Sequence, residues 1–364
     1  MAKGQRDSLK EYRRKRAFSR TPEPSGGDGR GEQPDGAGRF VVQQHDATNL
    51  HWDLRLEHRG VAISWALPRG IPQLPDRSAN RLAVRTEDHP LEYIEFEGEI
   101  PQGEYGAGQM SVWDSGSYEA EKLRDDEVIA TFDGERLRGR YAIFRTGGKN
   151  WIIHRMDPPL DPEREPMPEQ MRPMLPVRGE LPADPDGWGF EVAWGGLRTL
   201  LWCEPGHIRR ARARGVADPV QRFPELRRIS RALGSTEAIL DGEIVVLDEE
   251  GKPRAAELRE RERAGSESVA RRLSRDMPAT LMLYDLAFLD GHRTIELPYR
   301  ERRDLLEGLE LEGGAWSTPS YHRGDGAPLL EAAAERGLAG LLAKQLDSRY
   351  EAGRRSPAWV KVEA

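Results

Sequence analysis

Two histidines, an aspartate and an arginine fall close together in the segment 43–57, QQHDATNLHWDLRLE. Side chains on a strand alternate between its two faces, so His51, Asp53, Arg55 and Glu57 are predicted on one face and Trp52, Leu54 and Leu56 on the other. One face packs and the other is ionic. Imidazole and carboxylate together hold a divalent ion, which polarises a phosphoryl oxygen, while a guanidinium neutralises charge developing on the remaining oxygens. His45, His51 and Asp53 are therefore the candidate metal ligands and Arg55 the candidate phosphate clamp. Mixed ligation of this kind suits Mn2+ best and leaves Zn2+ and Fe2+ open. The competing reading is an incidental ion pair on an exposed strand.

Positioning such a face requires a sheet, and the surrounding sequence supplies one. From Arg39 to Met156 short alternating runs such as RFVVQQHD, VAISWALP, RLAVRTED and GRYAIFRT are separated by Gly, Pro and Asp turns, which predicts a barrel or curled sheet. Within it, His89 and Tyr93 in TEDHPLEY offer a proton or a hydrogen bond. The Gly103–Gly108 stretch has no lysine of a nucleotide cradle and reads as a structural turn. Residues 157–176 hold seven prolines and predict an extended Pro-rich linker. Beyond it, FEVAWGGLRTLLW, AILDGEIVVLD and ATLMLYDLAFLDG look like strands, while DPVQRFPELRRISRAL, RERRDLLEGLE and APLLEAAAERGL look helical, giving an α+β domain.

The 364 residues suit two domains or three, and 37% hydrophobic with 32% charged residues indicates a water-exposed globular chain. No apolar run is long enough to span a membrane and no secretory signal opens the chain, so the cytoplasm is the expected location. The single Cys203 excludes an internal disulfide or a cysteine zinc cluster. A net charge of −7 argues against a uniformly basic coat, yet Lys3, Arg6, Lys10, Arg13, Arg14, Lys15, Arg16 and Arg20 face only Asp7 and Glu11. Residues 1–38, ending in the Gly- and Pro-rich PEPSGGDGRGEQPDGAG, are expected to form a basic, largely flexible arm, either a solvated tail or a contact to phosphate backbone.

RFVVQQHDATNLHWDLRLE, SWALPRG, RLAVRTEDHPLEY and IPQGEYGAGQMSVWDSGSY, in that order, resemble the 3'-phosphoesterase domain of bacterial ligase D, an end-processing enzyme of non-homologous end joining. The likeness runs from about Leu9 to Met156. It implies a small β-barrel with a Mn2+-dependent activity that removes 3'-phosphates and 3'-terminal ribonucleosides from DNA. It assigns the metal to His45, His51 and Asp53, catalysis to Arg55, His89 and Tyr93, and support to Gln43 and Arg81. In LKEYRRKRAFSRTPEP, Arg16 and Glu23 match positions needed for ribonuclease work. Ala17 stands where the family has Asp, and Arg69 where Lys is common. The first departure is expected to weaken ribonucleoside removal more than phosphate removal.

The remainder resembles the adenylation domain of ATP-dependent DNA ligases. Glu243 in DGEIV, Tyr284 in LYDLAF, Lys344 in GLLAKQLDSRY and Lys361 in WVKV match nucleotide-pocket positions. FEVAWGGLR aligns with the pattern E-x-K-[WY]-D-G-x-R, so Ala193 replaces the lysine whose amine takes AMP from ATP, and a methyl group has no lone pair to attack with. Gly195 and Ala339 replace an Asp and a Glu of the same pocket. Ligase activity is expected to be absent and ATP binding is disfavoured; no oligonucleotide-binding domain follows within the chain. The expected organisation is thus an arm (1–38), an all-β phosphoesterase barrel (39–156), a linker (157–176) and an α+β nucleotidyltransferase domain (177–364). The expected function is DNA 3'-end processing in double-strand break repair, near the nucleoid, beside Ku, a separate ligase and a polymerase. The alternatives are a working ligase with another AMP acceptor and a non-catalytic DNA-end adaptor.

Overall fold

The computed structural model describes residues 9–26 and 36–364 and divides into two compact units, Met1–Arg164 and Glu165–Ala364. In the first, β1 (Ala37–Asp46), β2 (Leu50–His58), β3 (Val61–Leu67), β4 (Arg81–Arg85), β5 (Gly98–Ile100), β6 (Gly108–Leu123), β7 (Glu127–Asp133), β8 (Arg138–Gly147) and β9 (Asn150–Arg155) form one antiparallel sheet. Its order β1-β2-β3-β4-β9-β8-β7-β6 closes because β6 also pairs with β1, and β5 hangs on the free edge at the start of β6. The result is the all-β barrel that the alternating runs predict.

Closure works because the inward positions are large and apolar. Trp52, Leu54 and Leu56 of β2 meet Phe40, Val42, Trp65, Phe132, Tyr141 and Trp151 in one core, with Phe40 and Phe132 edge to face at 5.2 Å. Asp114 stitches the β7–β8 turn by accepting from the backbone N–H groups of Glu135, Arg136 and Leu137. Opposite the core, the odd positions of β2 point outward, as the alternation requires. A register shift between Val42 and Gln43 makes Trp113 an extra residue in the β1–β6 ladder, a bulge next to the ionic face.

The N-terminal segment differs from the flexible arm expected of it. Residues 9–26 pack on the barrel: helix α1 (Lys10–Arg14) sinks Tyr12 completely, and Tyr12 joins Tyr93, Ile100 and Met110 in a small cluster. Aromatic burial and ion pairing, described below, outweigh the solvation of its basic residues. Lys3, Arg6 and the glycine-rich part from 27 to 35 lie outside the described residues.

The second unit contains two sheets. One has the order β10-β20-β19-β11-β18, from β10 (Leu175–Arg178), β11 (Trp188–Val192), β18 (His322–Arg323), β19 (Gly340–Gln345) and β20 (Arg355–Glu363). The other has the order β13-β12-β14-β15-β16, from β12 (Leu197–Glu204), β13 (His207–Ala213), β14 (Ala238–Val246), β15 (Ala279–Leu289) and β16 (His292–Arg293), with β17 (Trp316–Ser317) beside β15. FEVAWGGLRTLLW is thus two strands in two sheets, broken at the glycines, where Gly195 has a φ of +75°. Side chains of β12 alternate: Leu200 and Trp202 join one core, Leu201 and Cys203 the other. Burial pushes the Cys203 thiol up to about 12, which leaves it an inert packing group.

The helices are α2 (Pro219–Arg222), α3 (Ile229–Ala232), α4 (Ala255–Glu262), α5 (Glu267–Asp276), α6 (Tyr299–Glu307) and α7 (Ala327–Glu335). DPVQRFPELRRISRAL is a chain of short helical turns because Pro224 interrupts it. α4 and α5 were not among the predicted helices. The Pro-rich stretch is no free spacer over its second half: Met167, Met171 and Met174 are buried against Trp202, Tyr350 and Trp359. Prolines keep that strip extended, and its methionines anchor it. Among the described residues no helix is long and apolar enough to cross a membrane.

Truncating Phe132 to Ala should destabilise the barrel by about 3–5 kcal/mol, because a fully buried ring would leave a cavity beside Phe40. Urea unfolding followed by tryptophan fluorescence measures this, and a loss under about 1 kcal/mol would contradict the packing described.

Candidate active site

β1 and β2 set the ionic face through their pairing, in which His45 lies opposite His51 and Gln43 opposite Asp53. The two imidazoles come within 4.7 Å, centroid to centroid. His45 Nδ1 lies 3.7 Å from Asp53 Oδ2 and His51 Nε2 lies 3.9 Å from Asp53 Oδ1. Donor atoms of all three residues fall within 4.8 Å of one another.

The second nitrogen of each imidazole is already committed. His45 Nε2 donates to the Gly106 carbonyl at 2.8 Å, and His51 Nδ1 donates to the Asn49 carbonyl at 2.9 Å. Each backbone acceptor fixes the tautomer that leaves the other nitrogen's lone pair facing Asp53, as backbone partners of metal-binding histidines do. The residues present therefore fit a divalent ion with two nitrogen ligands and one oxygen ligand.

Asp53 is buried, which by itself favours the protonated acid. The Arg55 guanidinium, donating from Nη2 to Asp53 Oδ2 at 3.0 Å, reverses this and holds the carboxyl well below its usual range. Arg55 is only 2% exposed. Its Nε donates to Gln43 Oε1 at 2.7 Å, its Nη1 to Ser64 Oγ at 3.0 Å, and its plane lies 4.6 Å from the Tyr93 ring. The expected phosphate clamp is thus built into the floor of the site, with every nitrogen bonded to protein. Gln43 carries the bracing onward by donating to the carbonyls of Tyr93 and Phe96.

The N-terminal segment forms the other wall. Arg16 Nε donates to Glu23 Oε1 at 2.7 Å, its Nη1 to Glu87 Oε1 at 3.2 Å, and its Nη2 faces His89 Nε2 at 3.3 Å. Tyr93 donates its hydroxyl to Glu23 Oε1 at 2.7 Å. His89 Nδ1 donates to the Glu87 carbonyl at 2.8 Å, which leaves Nε2 as the acceptor. Burial, then the positive charges of Arg55 and Arg16, push the His89 imidazole well below its ordinary value, so it is neutral at pH 7. Burial likewise raises the Tyr93 phenol, which stays a donor.

His45, His51, Asp53, Arg55, Gln43, His89, Tyr93, Arg16 and Glu23 are therefore drawn into one continuous network. Arg69 is exposed after β3, and Arg81 is half-buried on β4 opposite Ile153. Half-buried Ala17 follows directly on Arg16. Ser64, Glu87, Tyr105 and Gly106 were not singled out from sequence. Ser64 bonds Arg55; Glu87 accepts from both Arg16 and Lys15; Lys15 also bonds the Tyr105 hydroxyl; and the Gly106 carbonyl orients His45. The last lies in the turn read as purely structural. Period-two alternation on β3, which puts Ser64 among apolar neighbours, was the available signal for one of them.

In the second unit Ala193, Gly195 and Ala339 are neighbours. Ala193 N–H donates to the Gly340 carbonyl, Ala339 N–H donates to the Ala193 carbonyl, and a Cβ on Gly195 would sit 3.3 Å from the Ala339 methyl. Lys344 is wholly buried. Its Nζ lies 2.6 Å from Glu191 Oε2, a contact of opposite charges without hydrogen-bond alignment, and 4.3 and 4.6 Å from the Trp359 and Tyr299 ring centres. Burial lowers the Lys344 ammonium against the pull of Glu191. Tyr284 donates to Glu243 at 2.6 Å, and Arg198 forks onto Asp241 at 2.6 and 2.7 Å. Lys361, half-buried on β20 opposite Leu342, makes no ion pair among the described residues.

Residues 43–145 match the family described as DNA Ligase D 3'-phosphoesterase domain, and residues 183–363 the ATP dependent DNA ligase domain. The multifunctional non-homologous end joining protein LigD of Mycobacterium bovis is 39% identical over 366 residues, 98% of this chain and 45% of that protein. That of Pseudomonas aeruginosa is 36% identical over 412 residues, covering 98% and 47%. The chain thus spans less than half the length of these relatives. A solved mycobacterial DNA ligase D, complexed with ATP and MES, is 33% identical with a TM-score of 0.46, covering 53% of this chain and 60% of that one.

Glu23→Ala should unlatch the N-terminal wall, because it takes from buried Arg16 the shorter of its two carboxylate contacts and removes the acceptor of Tyr93. Amide exchange at Arg13, whose N–H donates to the Leu9 carbonyl, should lose about 3 kcal/mol of protection. Protection equal to the parent protein's would show that the segment is held by apolar packing alone.

Proposed function

Since the chain joins a ligase D 3'-phosphoesterase domain to an ATP-dependent DNA ligase domain, we propose that it is a Mn2+-dependent DNA 3'-end-processing enzyme of double-strand break repair. It removes 3'-phosphates and 3'-terminal ribonucleosides and leaves a 3'-hydroxyl. The observation that carries this reading is the convergence of one nitrogen each from His45 and His51 with the Asp53 carboxylate, both imidazole tautomers being set by backbone carbonyls.

His45, His51 and Asp53 would hold the ion. When bound, it supplies Lewis-acid polarisation of a phosphate oxygen. Arg55 keeps Asp53 ionised and aimed, and by stacking on Tyr93 it fixes that phenol beside the site. Arg16, paired to two carboxylates and facing His89, is the guanidinium that meets the terminal phosphate. Neutral His89 presents Nε2 as a proton acceptor, and Tyr93 orients the group or its leaving oxygen through its hydroxyl. Arg69, in the turn after β3, and Arg81, at the start of β4, contact the approaching strand. Ala17 supplies no carboxylate next to Arg16, so ribonucleoside removal is the weaker of the two activities.

The second unit is proposed to have lost covalent chemistry. With a methyl at 193 no amine waits for ATP, and Glu191, Asp241, Glu243 and Asp285 are matched by Lys344, Arg198, Tyr284 and Arg302 of the chain itself. ATP binding would have to break those pairs. Sealing then falls to a separate ligase, with a polymerase and Ku as companions at the DNA ends.

A primer ending in 3'-phosphate and another ending in one ribonucleotide, each with and without manganese, test the first part. Phosphate release should require the metal and be abolished by His51→Ala without loss of the fold, checked by thermal unfolding; unchanged turnover in that variant defeats the assignment. With α-labelled ATP no label should transfer to the chain. A covalently labelled chain would instead support a working ligase.

A further inference from the structure

One short pattern occurs twice in the second unit, as Arg227-Arg228-Ile229-Ser230-Arg231 and as Arg271-Arg272-Leu273-Ser274-Arg275. The first copy runs from a 3-10 turn, Pro224–Arg228, into the short helix α3, and the second lies within α5. In both the apolar residue is buried and the serine turns back three residues: Ser230 Oγ donates to the Arg227 carbonyl at 3.0 Å and Ser274 Oγ to the Arg271 carbonyl at 2.9 Å. Anchoring the middle of the pattern turns its arginines outward.

The two copies meet along one open cleft of about 470 Å³, walled by Arg228, Arg271, Ser274 and Arg275 and backed by Trp316. The acid in this cleft, Glu225, is already neutralised. Its two oxygens take a fork from buried Arg261 at 2.8 and 2.9 Å, and Oε1 also accepts from the Ala279 N–H. Glu267 at the start of α5 is a single carboxylate shared by Arg227 and Arg271, at 2.9 and 2.8 Å. Arg228 and Arg275 make no ion pair among the described residues. In a chain whose net charge is −7, this cleft gathers uncompensated guanidinium groups around an indole wall.

We propose that this cleft binds the phosphate backbone of duplex DNA. The inference rests on the reading that DNA ends are the substrate. Guanidinium forks match phosphate oxygens, and binding releases the counterions condensed on the duplex. The one carboxylate of the cleft is locked by Arg261, so it does not repel phosphate. Ser274 and the N–H groups left on Arg228 and Arg275 are its donors.

The test uses the full chain and fluorescence anisotropy with a short blunt duplex across roughly 50–200 mM salt. The triple variant Arg228→Ala, Arg271→Ala, Arg275→Ala should bind at least about tenfold more weakly, and the slope of log affinity on log salt should shrink by about 0.9 for each lost phosphate contact. The corresponding triple lysine variant should keep most of the slope. Phosphate release from a saturating 3'-phosphorylated oligonucleotide should be unchanged in both, and thermal unfolding followed by tryptophan fluorescence should match the parent's, which certifies the fold of the second unit. Affinity and slope equal to the parent's would overturn the proposal, including the case where the cleft serves an acidic protein instead. Should the parent chain release no phosphate while duplex binding still depends on these arginines, the catalytic reading fails and the cleft stands.

Discussion

A buried carboxylate between two imidazoles needs a fixed counter-charge, and Arg55 is that charge. Without it, burial would push Asp53 towards its neutral acid, and a neutral acid offers a poor ligand. Arg55 can serve because Gln43 and Ser64 hold its other two nitrogens and Tyr93 stacks on its plane. The chain Asp53–Arg55–Gln43 then reaches the backbone at Tyr93 and Phe96, so the turn carrying Tyr93 is positioned by the same guanidinium that sets the charge on the ligand. Removing one partner of such a buried group typically costs about 3–5 kcal/mol, which ties the local fold to the chemistry.

Much of this was legible in the sequence, because a strand imposes a strict period. Trp52, Leu54 and Leu56 had to go inward once His51, Asp53 and Arg55 went outward, and closure of the barrel followed from many such runs. What could not be read was anything set by contacts distant in the chain. The basic composition around Arg13–Arg16 suggests solvation, yet Tyr12 and the Arg16 pairs with Glu23 and Glu87 bind that segment to the barrel. Arg55 had the residue type of a clamp but its partners come from three strands, so its role as a floor group emerged only in three dimensions. The methionines of the Pro-rich strip posed the same difficulty: proline forbids helix without saying whether the extended chain is free or docked.

The second unit shows a related economy. Ala193, Gly195 and Ala339 are far apart in sequence but adjacent in the fold, and the acids that remain around them are satisfied internally. Lys344, enclosed by Glu191 and three aromatic rings, sits in the low-dielectric interior where an unpaired charge would be intolerable.

The ionic face lies on the outside of the barrel, and the apolar filling lies within. The wall of one strand separates them, with odd positions of β2 facing one environment and even positions the other. Interior side chains can therefore be exchanged for others of equal volume without displacing a ligand, so robustness and reactivity in this unit are adjustable as separate variables, a freedom denied to barrels whose chemistry occupies the lumen.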